Sequence, residues 1–256
     1  MQERTLYFPS ADNPPWNIGA ALLVWLISVV LIVISPQIFL LYYANIKNLR
    51  IISSEALLDL MKNDPMAMVL SLIAILPAHV ITLSVSWVVA TELGKYSFKE
   101  ALGLRLGRIK LSQILLFVIF FNVFATTMLY LFPEPENEFI KVLRSSPKAL
   151  YVTAVLAVST APIVEEIVYR GILYAAFQKK FGVLVSITLV STLFTLVHVP
   201  QYYPSILTII MIFLLSFVLT TIRAYSGALL PCIIVHFIHN AIQATVLVLQ
   251  SFSLRN

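Results

Sequence analysis

The chain has 256 residues, 60% of them hydrophobic and 11% charged, with a formal net charge of +5 and a mean hydropathy of +0.93. That balance lies far from a soluble domain, repeated runs of about 20 apolar residues read as membrane-spanning helices, and the short alternating segments of a transmembrane β-barrel are missing. The basic residues gather in loops, a mark of orientation in a bilayer and not of nucleic-acid binding, and the single cysteine, Cys232, allows neither an intrachain disulfide nor a cysteine metal cluster.

In chain order, residues 1–16 form a polar tail with Arg4 against Glu3 and Asp12. No secretory leader is expected, because the apolar run that follows is too long for one. The first span covers residues 18–43, with a kink expected at Pro36. A mixed-charge loop over 45–65 leads to the second span, 66–90, which holds His79 and is interrupted at Pro77. The loop 91–111 is the most basic, with Lys95, Lys99, Arg105, Arg108 and Lys110 against Glu92 and Glu100. After the third span, 113–132, residues 133–149 begin acidic (Glu134, Glu136, Glu138) and turn basic (Lys141, Arg144, Lys148). The fourth span, 150–177, ends at Lys179 and Lys180, and the last three cover 183–199, 205–222 and 228–249. Cations mark the cytoplasmic side. The 91–111 loop, Lys179-Lys180 and Arg223 then share that side, with the N-terminus inside and the C-terminus outside. No repeat or long linker divides the chain. The expectation is an all-α, polytopic membrane bundle of about seven transmembrane helices, a single membrane domain over residues 17–250.

The fourth span carries Glu165, Glu166 and Arg170 in apolar surroundings. Ionisable groups at membrane depth are costly and mark functional sites. On one continuous α-helix, Glu166 and Arg170 are four residues apart and share a face. Glu165 is rotated about 100° away. Glu166 therefore reads as half of a buried ion pair, and Glu165 as the carboxylate left for chemistry or another partner.

All four histidines, His79, His198, His236 and His239, fall in predicted spans. Phe194 and His198 are i to i+4, as are His236 and Asn240, so each pair shares a helix face. At about 1.5 Å per residue, Glu165, His198, His236 and Asn240 lie roughly 15–20 Å from the cytoplasmic ends of their spans. That is near the middle of a hydrocarbon core about 30 Å thick. A carboxylate and imidazoles at one depth suit water activation. A histidine and an asparagine amide suit stabilisation of an oxyanion. Neither a serine or cysteine nucleophile motif nor a His-Glu-x-x-His motif is present. The bland readings are a structural ion pair for Glu166 and Arg170, packing for Phe194, and satisfied polar groups for His79 and His239.

Glu165-Glu-Ile-Val-Tyr-Arg170 resembles the EExxxR motif of the CAAX-protease and bacteriocin-processing family of intramembrane proteases (CPBP, or Abi). Phe194 to His198 resembles its FxxxH motif and His236 to Asn240 its HxxxN motif. The stretches 98–105 and 226–236 also look like the family, so the resemblance covers residues 98–245. Tyr169 stands where Phe is commoner in the family. The resemblance implies that Glu165 and His198 activate water, that His236 and Asn240 hold the oxyanion, and that Glu166, Arg170 and Phe194 shape the site. Glu165, His198 and His236 would suit zinc, if the family uses a metal at all.

The leading expectation is an intramembrane endopeptidase acting on a membrane-associated, prenylated or otherwise hydrophobic peptide or protein. It would sit in a bacterial cell membrane, or in the endoplasmic reticulum membrane if eukaryotic. The alternative is a non-catalytic immunity or regulatory protein of the same fold. A small transporter with a carboxylate proton relay is a third reading, and the inverted halves that would support it are not visible in the sequence.

Overall fold

The computed structural model describes residues 9–51 and 53–253, so Glu3, Arg4 and Leu254 lie outside the described residues. In chain order the helices are α1 (Ile18–Ile46), α2 (Ser54–Asn63), α3 (Pro65–Ile73), α4 (Ile75–Thr91), α5 (Phe98–Leu102), α6 (Leu111–Leu131), α7 (Glu138–Ser145), α8 (Pro147–Val158) and α9 (Thr160–Glu166). A π-helical segment, Ile167–Leu173, joins α9 to α10 (Tyr174–Phe181). Then come α11 (Val183–Tyr202), α12 (Ile206–Ser226) and α13 (Leu230–Ser253). Among the described residues six stretches are long and apolar enough to cross a membrane, and the bent pair Pro147–Val158 and Thr160–Phe181, counted as one span, makes a seventh. The protein is thus an all-α, multi-pass membrane bundle. Apolar side chains such as Leu23, Phe120 and Leu184 stand exposed on its outside, where lipid tails replace water.

Proline placement explains where the spans break. A proline inside a helix lacks an N–H, and its ring meets the carbonyl four residues back. For Pro77 that residue is Ile73, where α3 ends. For Pro162 it is Val158, where α8 ends, and the chain bends by 41° there. The fourth span is therefore not the single α-helix expected from its apolar run. Pro36 and Pro200 are carried within continuous helices. Other boundaries follow capping rules. Asp64 caps α3 and Ser146 caps α8, each followed by a proline at the first helical position.

The described part of the tail packs on the bundle. Arg223 is fully buried and donates to the Ala11 carbonyl and, at 3.2 Å, to Asp12 Oδ1. Beside it, Leu229 N donates to Gly103 O at 2.8 Å and Arg108 N to Ser226 O at 3.1 Å. Gly107 has φ +68°, and a Cβ there would stand 2.2 Å from Ser226 O. The basic loop, the tail and the α12–α13 turn thus meet at one end of the bundle, and Lys179 and Lys180 face Pro15 to Gly19 there too. At the other end Glu134 takes the Leu207 and Thr208 amides at the start of α12. The segment from Ile167 to Phe177 is buried at every residue. It runs through the core against α1, α4, α11 and α12, and so carries the paired carboxylates into the middle of the fold.

Candidate active site

Glu166 and Arg170 are both fully buried, and Arg170 Nη1 donates to Glu166 Oε1 at 2.8 Å. The α-helical spacing that pairs them survives although the backbone turns π just after Glu166. Arg170 spends its other donors on α12: Nε on Thr220 Oγ1 at 3.2 Å, and Nη2 on Ser216 Oγ at 2.7 Å and on Ser216 O at 3.1 Å. A buried guanidinium is tolerated only when its charge is paired and its N–H groups are taken up, and this one meets both conditions.

His236, on α13, reaches both glutamates. Its Nδ1 is 2.7 Å from Glu166 Oε1, and its Nε2 is 3.7 Å from Glu165 Oε2. A carboxylate already paired with arginine is an acceptor, so Nδ1 carries the proton and Nε2 is turned toward Glu165. The gap of 3.7 Å is too long for a direct hydrogen bond and suits a bridging water. Glu165 is the more open carboxylate, with 26% of its side chain exposed against 0% for Glu166.

His198, on α11, gives Nδ1 to the Phe194 carbonyl at 2.7 Å. That bond places the Nδ1 proton and leaves Nε2 free as an acceptor. The Phe194 ring is the hub of the site. It lies 4.5 Å from the His198 ring, edge-on to His236 at 6.2 Å, edge-on to Tyr169 at 5.0 Å, and 4.8 Å from the Arg170 guanidinium carbon. Phe194 thus ties His198 to the Glu166–Arg170–His236 network. Asn240 gives Nδ2 to the Ala157 carbonyl at 2.8 Å, in the last turn before the break. One of its two amide hydrogens is therefore committed to the bent span.

Several neighbours carry no motif signal. Trp25 of α1 donates its indole N–H to Tyr169 OH at 3.1 Å, and Trp16 donates to the Ile172 carbonyl at 3.0 Å, both on the π-helical segment. His79 Nδ1 sits 2.9 Å from Thr160 Oγ1, at the foot of the same helix as Glu165. His239 turns to α6, where Asn122 Oδ1 is 3.1 Å from its Nδ1, so it does not crowd His236. Tyr202 lies one turn beyond His198, with ring centroids 6.4 Å apart and planes 24° apart. Its i+4 spacing from His198 is legible in the sequence. Among the described residues no group of three or more His, Cys, Asp or Glu side chains stands close enough to hold a metal ion. In both His198 and His236 Nδ1 is engaged, so Nε2 is the nitrogen left to meet water or a ligand.

No curated protein and no solved structure matches the chain. A family model described as Type II CAAX prenyl endopeptidase Rce1-like matches residues 147–242. The match takes in all three motifs and leaves out residues 98–105 and the first three spans. The resemblance read from the motifs is thus matched at the family level over residues 147–242, which are similar to the Rce1-like family of type II CAAX prenyl endopeptidases.

Proposed function

We propose that the protein is an intramembrane endopeptidase that hydrolyses a peptide bond of a membrane-associated, prenylated or hydrophobic substrate through activated water. The observation that carries this reading is the contrast between the two glutamates. Glu166 is buried and bound, whereas Glu165 is partly open and faces His236 Nε2 across 3.7 Å. In the proposed reaction Glu165 takes a proton from a water that His198 Nε2 helps to hold. The water oxygen bonds to the scissile carbonyl carbon, and the carbonyl oxygen gains the charge. His236, as the imidazolium that carries a proton on Nε2 as well as on Nδ1, and the remaining amide hydrogen of Asn240 donate to that oxyanion. Glu165 then passes its proton to the leaving amine as the C–N bond breaks. Glu166 and Arg170 hold His236 in place, and the Phe194 ring packs against both imidazoles. No step requires a metal.

The test is Glu165→Gln in detergent with a prenylated peptide ending in a free carboxylate. An amide cannot take up the proton, and it is cheaper to bury than a carboxylate. The variant should melt as the wild type does and lose turnover. A wild-type protein that binds the peptide without cleaving it favours the immunity or regulatory reading. Normal cleavage by the variant removes Glu165 from the mechanism.

A further inference from the structure

The first span lies outside the family match, yet it reaches the candidate site through one hydrogen bond. Trp25 Nε1 donates to Tyr169 OH at 3.1 Å. The Tyr169 ring stands edge-on to Phe194, with centroids 5.0 Å apart and planes at 77°. Phe194 in turn lies against the His198 ring at 4.5 Å, and its carbonyl accepts the His198 Nδ1 proton at 2.7 Å. We propose that Trp25 and Tyr169 are positioning residues for His198, acting through the ring of Phe194. This rests on the hydrolytic reading above for its effect on rate, but its geometric content stands without that reading.

Rotational freedom decides how firmly each ring in this series is held. An edge-to-face contact fixes a ring only as well as the edge itself is fixed. Tyr169 is buried at the centre of the π-helical segment, and its ring could still tilt toward α1 or α11. The indole N–H anchors the hydroxyl to α1 and so sets that tilt. Phe194 is then gripped between the Tyr169 edge and the Arg170 guanidinium, 4.8 Å from its centroid. His198 sits one helical turn on, with its imidazole against the gripped ring. Loosening the far end of this series lets the imidazole swing away from the ring and weakens the Nδ1 bond to Phe194 O that fixes its tautomer. That moves Nε2, the atom offered to water. The bland alternative is that the pair only glues α1 to the core, as tryptophan and tyrosine do between many membrane helices.

The experiment is a double-mutant cycle with Trp25→Phe and Tyr169→Phe. Tyr169→Phe removes the hydroxyl and keeps the ring, and Trp25→Phe removes the indole N–H and leaves a smaller aromatic ring in its place. Two readouts are taken on the full-length protein in detergent: cleavage of a prenylated peptide, and the ring-nitrogen NMR signals of histidine labelled with nitrogen-15, with His198 assigned by its loss in His198→Gln. Each single variant should lower kcat by about tenfold with little change in KM, as expected when a reacting group is misplaced by less than an ångström or so. The double variant should be no worse than the poorer single one, because both remove the same bond. The His198 signals should shift from the tautomer protonated at Nδ1 toward a mixture, while those of His239 stay fixed.

Unchanged His198 signals in both single variants would overturn the proposal. So would additive losses in the double variant, which would make the two residues independent. A fall in kcat in Tyr169→Phe with His198 unmoved would also overturn it, since the hydroxyl would then be acting on the substrate directly. If the wild type cleaves nothing, the hydrolytic reading fails, and the NMR signals still decide whether Trp25 and Tyr169 set His198.

Discussion

His236 Nδ1 stands 2.7 Å from Glu166 Oε1, the same oxygen that Arg170 Nη1 reaches at 2.8 Å. Glu166 Oε2 is buried and has no hydrogen-bond partner among the described residues. One oxygen therefore ties the arginine to the histidine, and the ion pair is part of the geometry that aims Nε2 at Glu165. The two glutamates, adjacent in sequence, are given opposite tasks by what surrounds them. One is enclosed by donors, and the other is left facing a histidine across a gap.

Glu166→Gln and Arg170→Gln each leave a buried charge without its partner, which typically costs about 3–5 kcal/mol. Both variants should give less folded protein and a lower melting temperature in detergent. Arg170→Gln also strands Ser216 and Thr220, so it should be the worse of the two. Whatever Glu166→Gln protein folds should cleave poorly, because a neutral amide no longer fixes the proton on His236 Nδ1. If Glu166→Gln is stable and fully active, the shared oxygen has no part in orienting the histidine.

Pro162→Ala restores the N–H that the proline withholds from Val158 and removes the ring that meets its carbonyl. The 41° bend between Pro147–Val158 and Thr160–Phe181 should relax toward a straight span. Glu165 lies beyond the bend, three residues after Pro162, so it should shift against His236 and cost about tenfold or more in cleavage. The melting temperature should hold or rise. Wild-type rates in this variant would mean that the bend serves packing alone.

Gly107→Ala tests the seam at the basic end. A Cβ would meet the Ser226 backbone oxygen at 2.2 Å and would also need φ +68°, a region that side chains resist. Neither clash can be relieved by a rotamer, so the loop must part from the α12–α13 turn. The expected result is a loss of stability of about 1–3 kcal/mol, read as a lower melting temperature. An unchanged melt would show that this loop contributes little to holding the turn.

Orientation in the membrane is open to labelling. Lys99→Cys and Leu254→Cys should react with an impermeant thiol reagent from opposite faces, with Lys99 on the cytoplasmic side. The native Cys232 is buried and should stay silent. Labelling of both positions from one face would rule out an odd number of crossings.

The sequence by itself determined the class of this protein and the order of its spans, because about 20 apolar residues in a row have one stable place, across a bilayer, as a helix. It also determined the pairing of Glu166 with Arg170, since four residues make one helical turn and a buried charge needs a partner within reach. It carried enough for the family resemblance, because the three motifs are local strings. Only the tertiary structure decided where Pro162 breaks the fourth span, since Pro36 and Pro200 sit in similar apolar runs without ending their helices. Whether a proline breaks a helix depends on what neighbouring elements supply to the freed backbone groups. Tertiary packing alone turned His236 toward both glutamates, brought the Phe194 ring against both imidazoles, and brought Trp25 to Tyr169 across 144 residues of chain. Helical periodicity says which side chains share a face, and it is silent on which faces meet.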